Sequence, residues 1–294
     1  MNPIITEKTM KRINTVICGG DRRMLAAANH FSKIGRCSLW RCASGEVPGA
    51  VRTDNLREAA ADAIVILPIP SFDRNGMLNG GGHISAEELF RTLPHGTHIF
   101  GAKVSPLTIR MAKEHGHSFT DYGERDDFNI QNAVPTAEAA ILIAMEHSLK
   151  TIHGSDFIVI GYGRIGKALA ARLCDLGGKV TVAARSDSAL AAAECDGHRS
   201  IRISQLNDTY LKSDICFNTV PCVLFDKDQV CGWDCPRFIE LASMPGSISE
   251  EGKKYLSDRY ICALSLPGRY FPETAGEIIY KTVLTVVNSE EGLK

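Results

Sequence analysis

A chain of 294 residues, 44% hydrophobic and 23% charged, is long for one core and suits two globular domains of roughly 150 residues each. A formal net charge of −1 gives neither nucleic acid nor an anionic membrane an electrostatic hold, and no apolar run approaches the roughly 20 residues that span a bilayer. The ten cysteines include one C-x-x-x-C, Cys231 and Cys235, without a second pair, so free thiols and no metal are expected; with no basic-then-apolar leader, so is a cytoplasmic location.

Thr15–Cys18 reads as a buried strand, followed by Gly19-Gly20-Asp21-Arg22-Arg23 and a helix from Met24 to Ser32. Two guanidinium groups and unpaired backbone N–H groups at a strand's carboxyl end suit a carboxylate. Without an anion, two cations at the positive end of a helix dipole are unfavourable. Gly20, Arg22 and Arg23 are therefore candidate substrate-binding residues. Asp21 has two open roles: it pairs with an arginine, which would make it a weak base, or it is the catalytic group that accepts a proton from a substrate carbon. Ala63–Leu67 and His98–Ala102 read as further strands, and Ser105-Pro106 opens a helix that Gly116 stops. This alternation implies a parallel sheet. Between its strands, Asn79–His83 reads as a glycine-rich flexible loop, and His83, His95 and His98 match no metal-binding spacing.

Residues 135–150 form a predicted helix bridging to a second domain, with Pro135 near its start. There the apolar strand Phe157–Ile160 runs into Gly161-Tyr162-Gly163-Arg164-Ile165-Gly166 and a helix with Ile165, Leu169, Leu173 and Leu176 on one face. In this context Gly161 permits the turn, Gly163 lets a pyrophosphate approach, and Gly166 lets the helix lie close to the sheet. Residues 161–166 are thus candidate cofactor-binding positions. After the Gly177-Gly178 stop, Val180–Ala184 reads as the next strand, ending in Arg185-Ser186 where an NAD site presents Asp or Glu. An arginine there can fork onto a 2′-phosphate, so NADP(H) is the expected cofactor.

Thr219, Val220 and Pro221 follow the strand-like Asp214–Phe217, and Leu241, Ala242 and Ser243 follow Arg237–Ile239. These would be the fourth and fifth strands of the nucleotide domain, with their ends at the nicotinamide half. Pro267 lies in a predicted Pro/Gly loop, 266–276, and the helix 274–288 is expected to return to the first domain. The expected fold is therefore α/β: two Rossmann-like parallel-sheet domains, 1–134 plus 274–294 for substrate and 135–273 for NADP, with a cleft between them.

Taken together these segments resemble the A subunits of dipicolinate synthase. The resemblance rests on Gly19-Gly-Asp-Arg-Arg23, Asn132-Ala-Val-Pro-Thr-Ala-Glu138, the GYGRIGKALA run from Gly161, Ala242-Ser243-x-Pro245-Gly246, Leu266-Pro-Gly268 and Thr274-Ala-Gly276, in the family's order and across nearly the whole chain. The chain departs from the family pattern in carrying Glu240 and Ser247 where Asp and Gly are common. The resemblance implies oxidation of a dihydrodipicolinate-type ring to pyridine-2,6-dicarboxylate with NADP⁺ as hydride acceptor. It also implies partnership with a flavoprotein-like B subunit, a homo-oligomeric state and the mother-cell cytoplasm of a sporulating bacterium. Thr136, Ser243, Pro245, Gly246 and Thr274 are the further substrate-binding positions it implies. D-2-hydroxyacid dehydrogenases share this two-domain layout but carry a late catalytic histidine, where this chain reads Leu266-Pro-Gly-Arg-Tyr-Phe-Pro272. A non-catalytic NADP(H)-binding module is the other alternative.

Overall fold

The computed structural model describes residues 12–208 and 212–291; the outer ends of the expected first domain, residues 1–11 and 292–294, lie outside the described residues. In chain order the elements are β1 (Thr15–Cys18), α1 (Arg22–Phe31), β2 (Cys37–Trp40), β3 (Ala50–Arg52), α2 (Leu56–Ala59), β4 (Ile64–Ile66), α3 (Ala86–Thr92), β5 (His98–Gly101), α4 (Pro106–Glu114), β6 (Ser118–Asp121) and α5 (Asp126–His147). There follow β7 (Asp156–Ile160), α6 (Arg164–Asp175), β8 (Lys179–Ala184), α7 (Asp187–Cys195), β9 (Arg199–Arg202), α8 (Ile203–Asp208), β10 (Ile215–Asn218), α9 (Lys227–Val230), β11 (Arg237–Glu240), α10 (Glu250–Leu256), β12 (Tyr260–Cys262), α11 (Leu266–Tyr270) and α12 (Pro272–Glu291). The chain divides into two compact units, one of residues up to Asn129 and from Phe271 onward, the other Ile130–Tyr270.

Each unit holds a six-stranded sheet, in the orders β3-β2-β1-β4-β5-β6 and β12-β11-β10-β7-β8-β9, and every pairing between strands is parallel. Counted from the first strand of its own unit, each sheet runs 3-2-1-4-5-6, the doubly wound order of a Rossmann-like domain. The order reverses beside β1 in one unit and beside β7 in the other, and ligands of such sheets bind at the strand carboxyl ends there.

Buried parallel strands need apolar residues on both faces, and β1 shows the division: Ile17 packs with Met24, Phe31 and Val283, while Val16 and Cys18 pack with Leu89 and Phe90. The first group joins α1 to α12, whose Ile278, Ile279, Val283 and Val286 are buried as the helical periodicity predicts.

Two expectations are corrected. The bridging helix starts at Asp126, with Pro135 inside it. An internal proline costs about 3 kcal/mol, but Phe128, Ala133 and Ala137 on its flanks are 2% exposed or less, and their burial keeps the helix continuous. The stretch read as a loop is helical on both sides of Phe271: Pro267 is buried in α11, and Pro272 opens α12, where a missing N–H costs nothing. Among the described residues no helix is long and apolar enough to cross a membrane, and no three His, Cys, Asp or Glu side chains gather as a metal site.

Candidate cofactor and substrate sites

At the end of β7 the chain turns through Gly161, whose φ of 93° is open to glycine, and enters α6 with Gly163 as N-cap and no side-chain capping bond. A Cβ on Gly166 would collide with the Gly161 carbonyl oxygen, so that glycine serves helix–strand packing. A Cβ on Gly163 would meet nothing within 4 Å. No internal contact demands a glycine at 163, and the open space lies before an uncapped helix N-terminus, which suits a pyrophosphate. Arg164 and Ile165 form the first turn of α6. Tyr162 turns away: the residue is buried and its hydroxyl donates to Asp196 Oδ2 at 2.6 Å, so only its backbone can face an anion. Burial, followed by that bond to a carboxylate, pushes the phenol well above its usual value.

Beyond β8, Arg185 is exposed and Ser186 caps α7, accepting the Ala189 N–H at 3.2 Å. From the end of β9, Arg202 donates to the Arg185 carbonyl at 3.3 Å and pairs with Asp187. Sequence reasoning missed Arg202 because β9 is short and half-exposed and carries little hydrophobic signal. The Arg202 guanidinium thus lies against the Arg185 backbone beside the adjacent ends of β8 and β9, where Arg185 and Ser186 leave the sheet.

Thr219, Val220 and Pro221 leave β10, and Leu241, Ala242 and Ser243 leave β11. Both loops are set by a buried pair that sequence reasoning missed. Asn218 and Glu240, each 0% exposed, end the two strands side by side, and Asn218 Nδ2 donates to Glu240 Oε1 at 2.5 Å. Asn218 also accepts the Val220 N–H and donates to the Val220 carbonyl, while the Thr219 hydroxyl donates to Ile160. Glu240 Oε1 accepts the Ala242 N–H at 3.0 Å, and Oε2 accepts the Ser247 N–H at 2.9 Å. Glu240 and Ser247, the departures from the family pattern, thus meet each other. Burial raises the Glu240 pKa against the pull of these donors. Each of the two strands ends on a polar residue, but only the pairing of β10 with β11 gives Asn218 and Glu240 this role. On the loop they hold, Ser243 and Pro245 are exposed, Leu241 and Ala242 are buried, and Gly246 packs against the Glu240 carboxylate.

In the other unit, Asp21 is the N-cap of α1 and takes Arg23 in a fork, Nε to Oδ1 at 2.9 Å and Nη2 to Oδ2 at 2.8 Å. Burial would raise the Asp21 pKa, but the Arg23 hydrogen bonds and charge outweigh it and hold it below the usual value. Of the two roles open to Asp21, this geometry favours pairing. Arg23 Nη2 also donates to the Ile69 carbonyl after β4, and Arg22 is exposed. The Asn79–His83 loop is tied down rather than loose: the Asn79 carbonyl accepts the Gly20 N–H at 2.8 Å and its side chain donates to Pro70. Thr136 is buried in α5 with its hydroxyl spent on the Asn132 carbonyl, and Thr274 is exposed in the first turn of α12.

Comparison with known proteins agrees with this geometry. The family model described as D-isomer specific 2-hydroxyacid dehydrogenase, NAD binding domain, matches residues 133–226. The dipicolinate synthase A subunit of Bacillus subtilis (strain 168) is 30% identical over 237 residues, 78% of this chain and 80% of that protein. The crystal structure of the dipicolinate synthase A subunit from Bacillus halodurans superposes with a TM-score of 0.80 at 25% identity, covering 95% of this chain and 98% of that one. The corresponding structure from Bacillus subtilis superposes at 0.84 with 24% identity, covering 98% and 100%. A relative this similar over most of both chains, together with two Rossmann-like domains, one bearing a nicotinamide-cofactor fingerprint, shows that the chain belongs to the family of dipicolinate synthase A subunits.

Proposed function

We propose that the chain oxidises a dihydropyridine-2,6-dicarboxylate-type ring to aromatic pyridine-2,6-dicarboxylate, with NADP⁺ as acceptor. The oxidation removes two electrons and two hydrogens from the ring, one leaving as hydride and the other as a proton. When bound, NADP⁺ supplies the hydride acceptor. The uncapped start of α6, with the open space at Gly163, would hold the pyrophosphate. Arg185 and Ser186, with Arg202 beside them, would hold the 2′-phosphate, and this replacement of the usual acidic residue carries the cofactor choice. The loops pinned by Asn218 and Glu240, residues 219–221 and 241–243, would border the nicotinamide half, with Ser243, Pro245 and Gly246 on the pinned segment. Arg22 and Arg23 would meet ring carboxylates, and we assign Asp21 to orienting Arg23 rather than to taking the ring proton, because Arg23 keeps it a weak base. The relatives are named as one part of a synthase, and the proposal includes partnership with a flavoprotein-like B subunit, a homo-oligomer of this chain and the mother-cell cytoplasm of a sporulating bacterium.

The test is steady-state turnover of freshly made dihydrodipicolinate with NADP⁺ and with NAD⁺, beside reduction of 2-keto acids with either reduced cofactor. Turnover of the dicarboxylate with NADP⁺ supports the proposal. Reduction of 2-keto acids alone would make the chain a D-2-hydroxyacid dehydrogenase, and cofactor binding without any turnover would make it a binding module.

A further inference from the structure

The carboxyl edge of the first sheet holds a cation that no sequence motif marks. Arg41 follows β2, the strand paired in register with β1, and the Gly19 N–H donates to the Trp40 carbonyl at 3.0 Å. Its backbone has a φ of 52°, in the left-handed region that residues with a Cβ rarely enter. Residues held there cluster where the surrounding structure has a use for the conformation. The guanidinium is held as well: it lies 4.8 Å over the buried Trp40 ring, and Nη1 donates to the Gly81 carbonyl at 3.3 Å. Gly81 belongs to the loop that backs Gly20, and the approach is so close that a Cβ on Gly80 would stand 2.6 Å from the Gly20 nitrogen. The turn after Arg41 is pinned in its own right, because Arg52 donates to the carbonyls of Cys42, Ala43 and Gly45.

Arg41 therefore shares a continuous backbone surface with Gly20 and the start of α1, yet it remains exposed. Among the described residues it has no acidic partner, whereas Arg23 has Asp21. A side chain serving only as a lid on Trp40 would need neither the left-handed backbone nor the second tether. A guanidinium fixed by a ring face and one carbonyl keeps its other N–H groups for a ligand, and a planar fork of donors matches a carboxylate.

We propose that Arg41 anchors one carboxylate of the ring dicarboxylate, while the Arg22/Arg23 pair serves the other; the inference rests on the substrate class proposed above. Its test is calorimetric binding of pyridine-2,6-dicarboxylate and of pyridine-2-carboxylate to the full chain saturated with NADP⁺. With Arg41→Ala the dicarboxylate should bind about 10- to 100-fold more weakly, as loss of one charge-assisted pair requires, while the monocarboxylate, free to use the other anchor, changes less than about two-fold. Arg41→Lys, which retains the charge and the stem over Trp40, should recover part of the loss. Unchanged dicarboxylate affinity in both variants overturns the role of Arg41 and leaves the substrate class standing. Equal weakening of both ligands in both variants, with a lowered melting temperature, overturns it in favour of a structural role. A wild-type chain that binds NADP⁺ but not the dicarboxylate overturns the substrate class and the inference together.

Discussion

At the residue scale, the two units solve the same problem with different groups, since each presents positive character at the end of its first strand. In the nucleotide unit this comes from the backbone N–H groups at the uncapped start of α6, and on the reading proposed above selectivity would come from Arg185. Arg185→Ala should weaken NADP⁺ by about 10- to 100-fold and leave NAD⁺ nearly unchanged in fluorescence titration; equal losses for both would remove Arg185 from the 2′-phosphate site. Glu240→Gln tests the pinned loops. The Glu240 carboxylate accepts from Asn218 Nδ2, from the N–H groups of Ala242 and Ser247 and, at 3.4 Å, from the Ser247 hydroxyl, so a glutamine amide would bring a further donor against close N–H groups. The cost should be about 1–3 kcal/mol in urea unfolding, despite the matching shape. Asp21→Asn preserves the cap of α1 and removes the charge paired with Arg23. Because the folded pKa of Asp21 lies below its usual 3.8, its contribution is present above that value and disappears as the pH falls through the folded one. The gap in urea midpoint between wild type and Asp21→Asn should hold from about pH 8 to pH 5 and close in more acid solution. The glycine turn from β7 into α6 and the position of Arg185 at the end of β8 were legible because their spacing is set by chain geometry. Arg41, Arg202 and the Asn218–Glu240 pair were not, because each acquires meaning from a neighbour on another strand.

At the scale of elements, the periodic ones were read well and the short or edge ones poorly. β1, β4, β5 and β7 are largely buried apolar runs that announce themselves, whereas β3 and β9 lie at sheet edges: β3 is three residues long and mostly exposed, and β9 is polar and half-exposed. The helix after Phe271 was legible from its apolar set, but the reason for Gly276 in its first turns was not. A Cβ there would stand 2.5 Å from Ala26 Cβ and 2.6 Å from the Arg23 carbonyl oxygen, so α12 lies backbone-close upon α1. Gly276→Ala gains about 1 kcal/mol of helix propensity. It must also push apart two backbones, and overpacking of that kind costs about 1–3 kcal/mol. With rigid backbone rather than a side-chain tip in the way, the cost should win, and calorimetry should show a melting temperature lowered by a few degrees. An unchanged or raised value would mean that the two helices slide apart freely.

At the scale of the whole molecule, length was enough to suggest two domains, the lack of a long apolar run agreed with the lack of a membrane-spanning helix among the described residues, and the repeated strand–helix alternation was enough for two parallel sheets. The points of division were less legible, because α5 runs unbroken through Asn129 and Ile130 and its proline looked like a beginning. The unit Ile130–Tyr270 is one continuous stretch, whereas the other needs Phe271 onward to supply α12. Truncation after Tyr270 should therefore leave nucleotide binding in place while the α1 half becomes protease-sensitive, as pulse proteolysis with NADP⁺ titration would show; loss of binding would make the nucleotide unit dependent on the other. The same discontinuity sets an order of events at the ribosome. The stretch that carries β1 through β6 emerges first, but Met24, Ala27 and Phe31 of α1 must wait for Ile278, Ile279 and Val283 before their shared core can close. The part of the protein made earliest is thus completed last, and until residues 272–291 leave the exit tunnel the nascent chain exposes a greasy helix face that a trigger-type chaperone would be suited to shield.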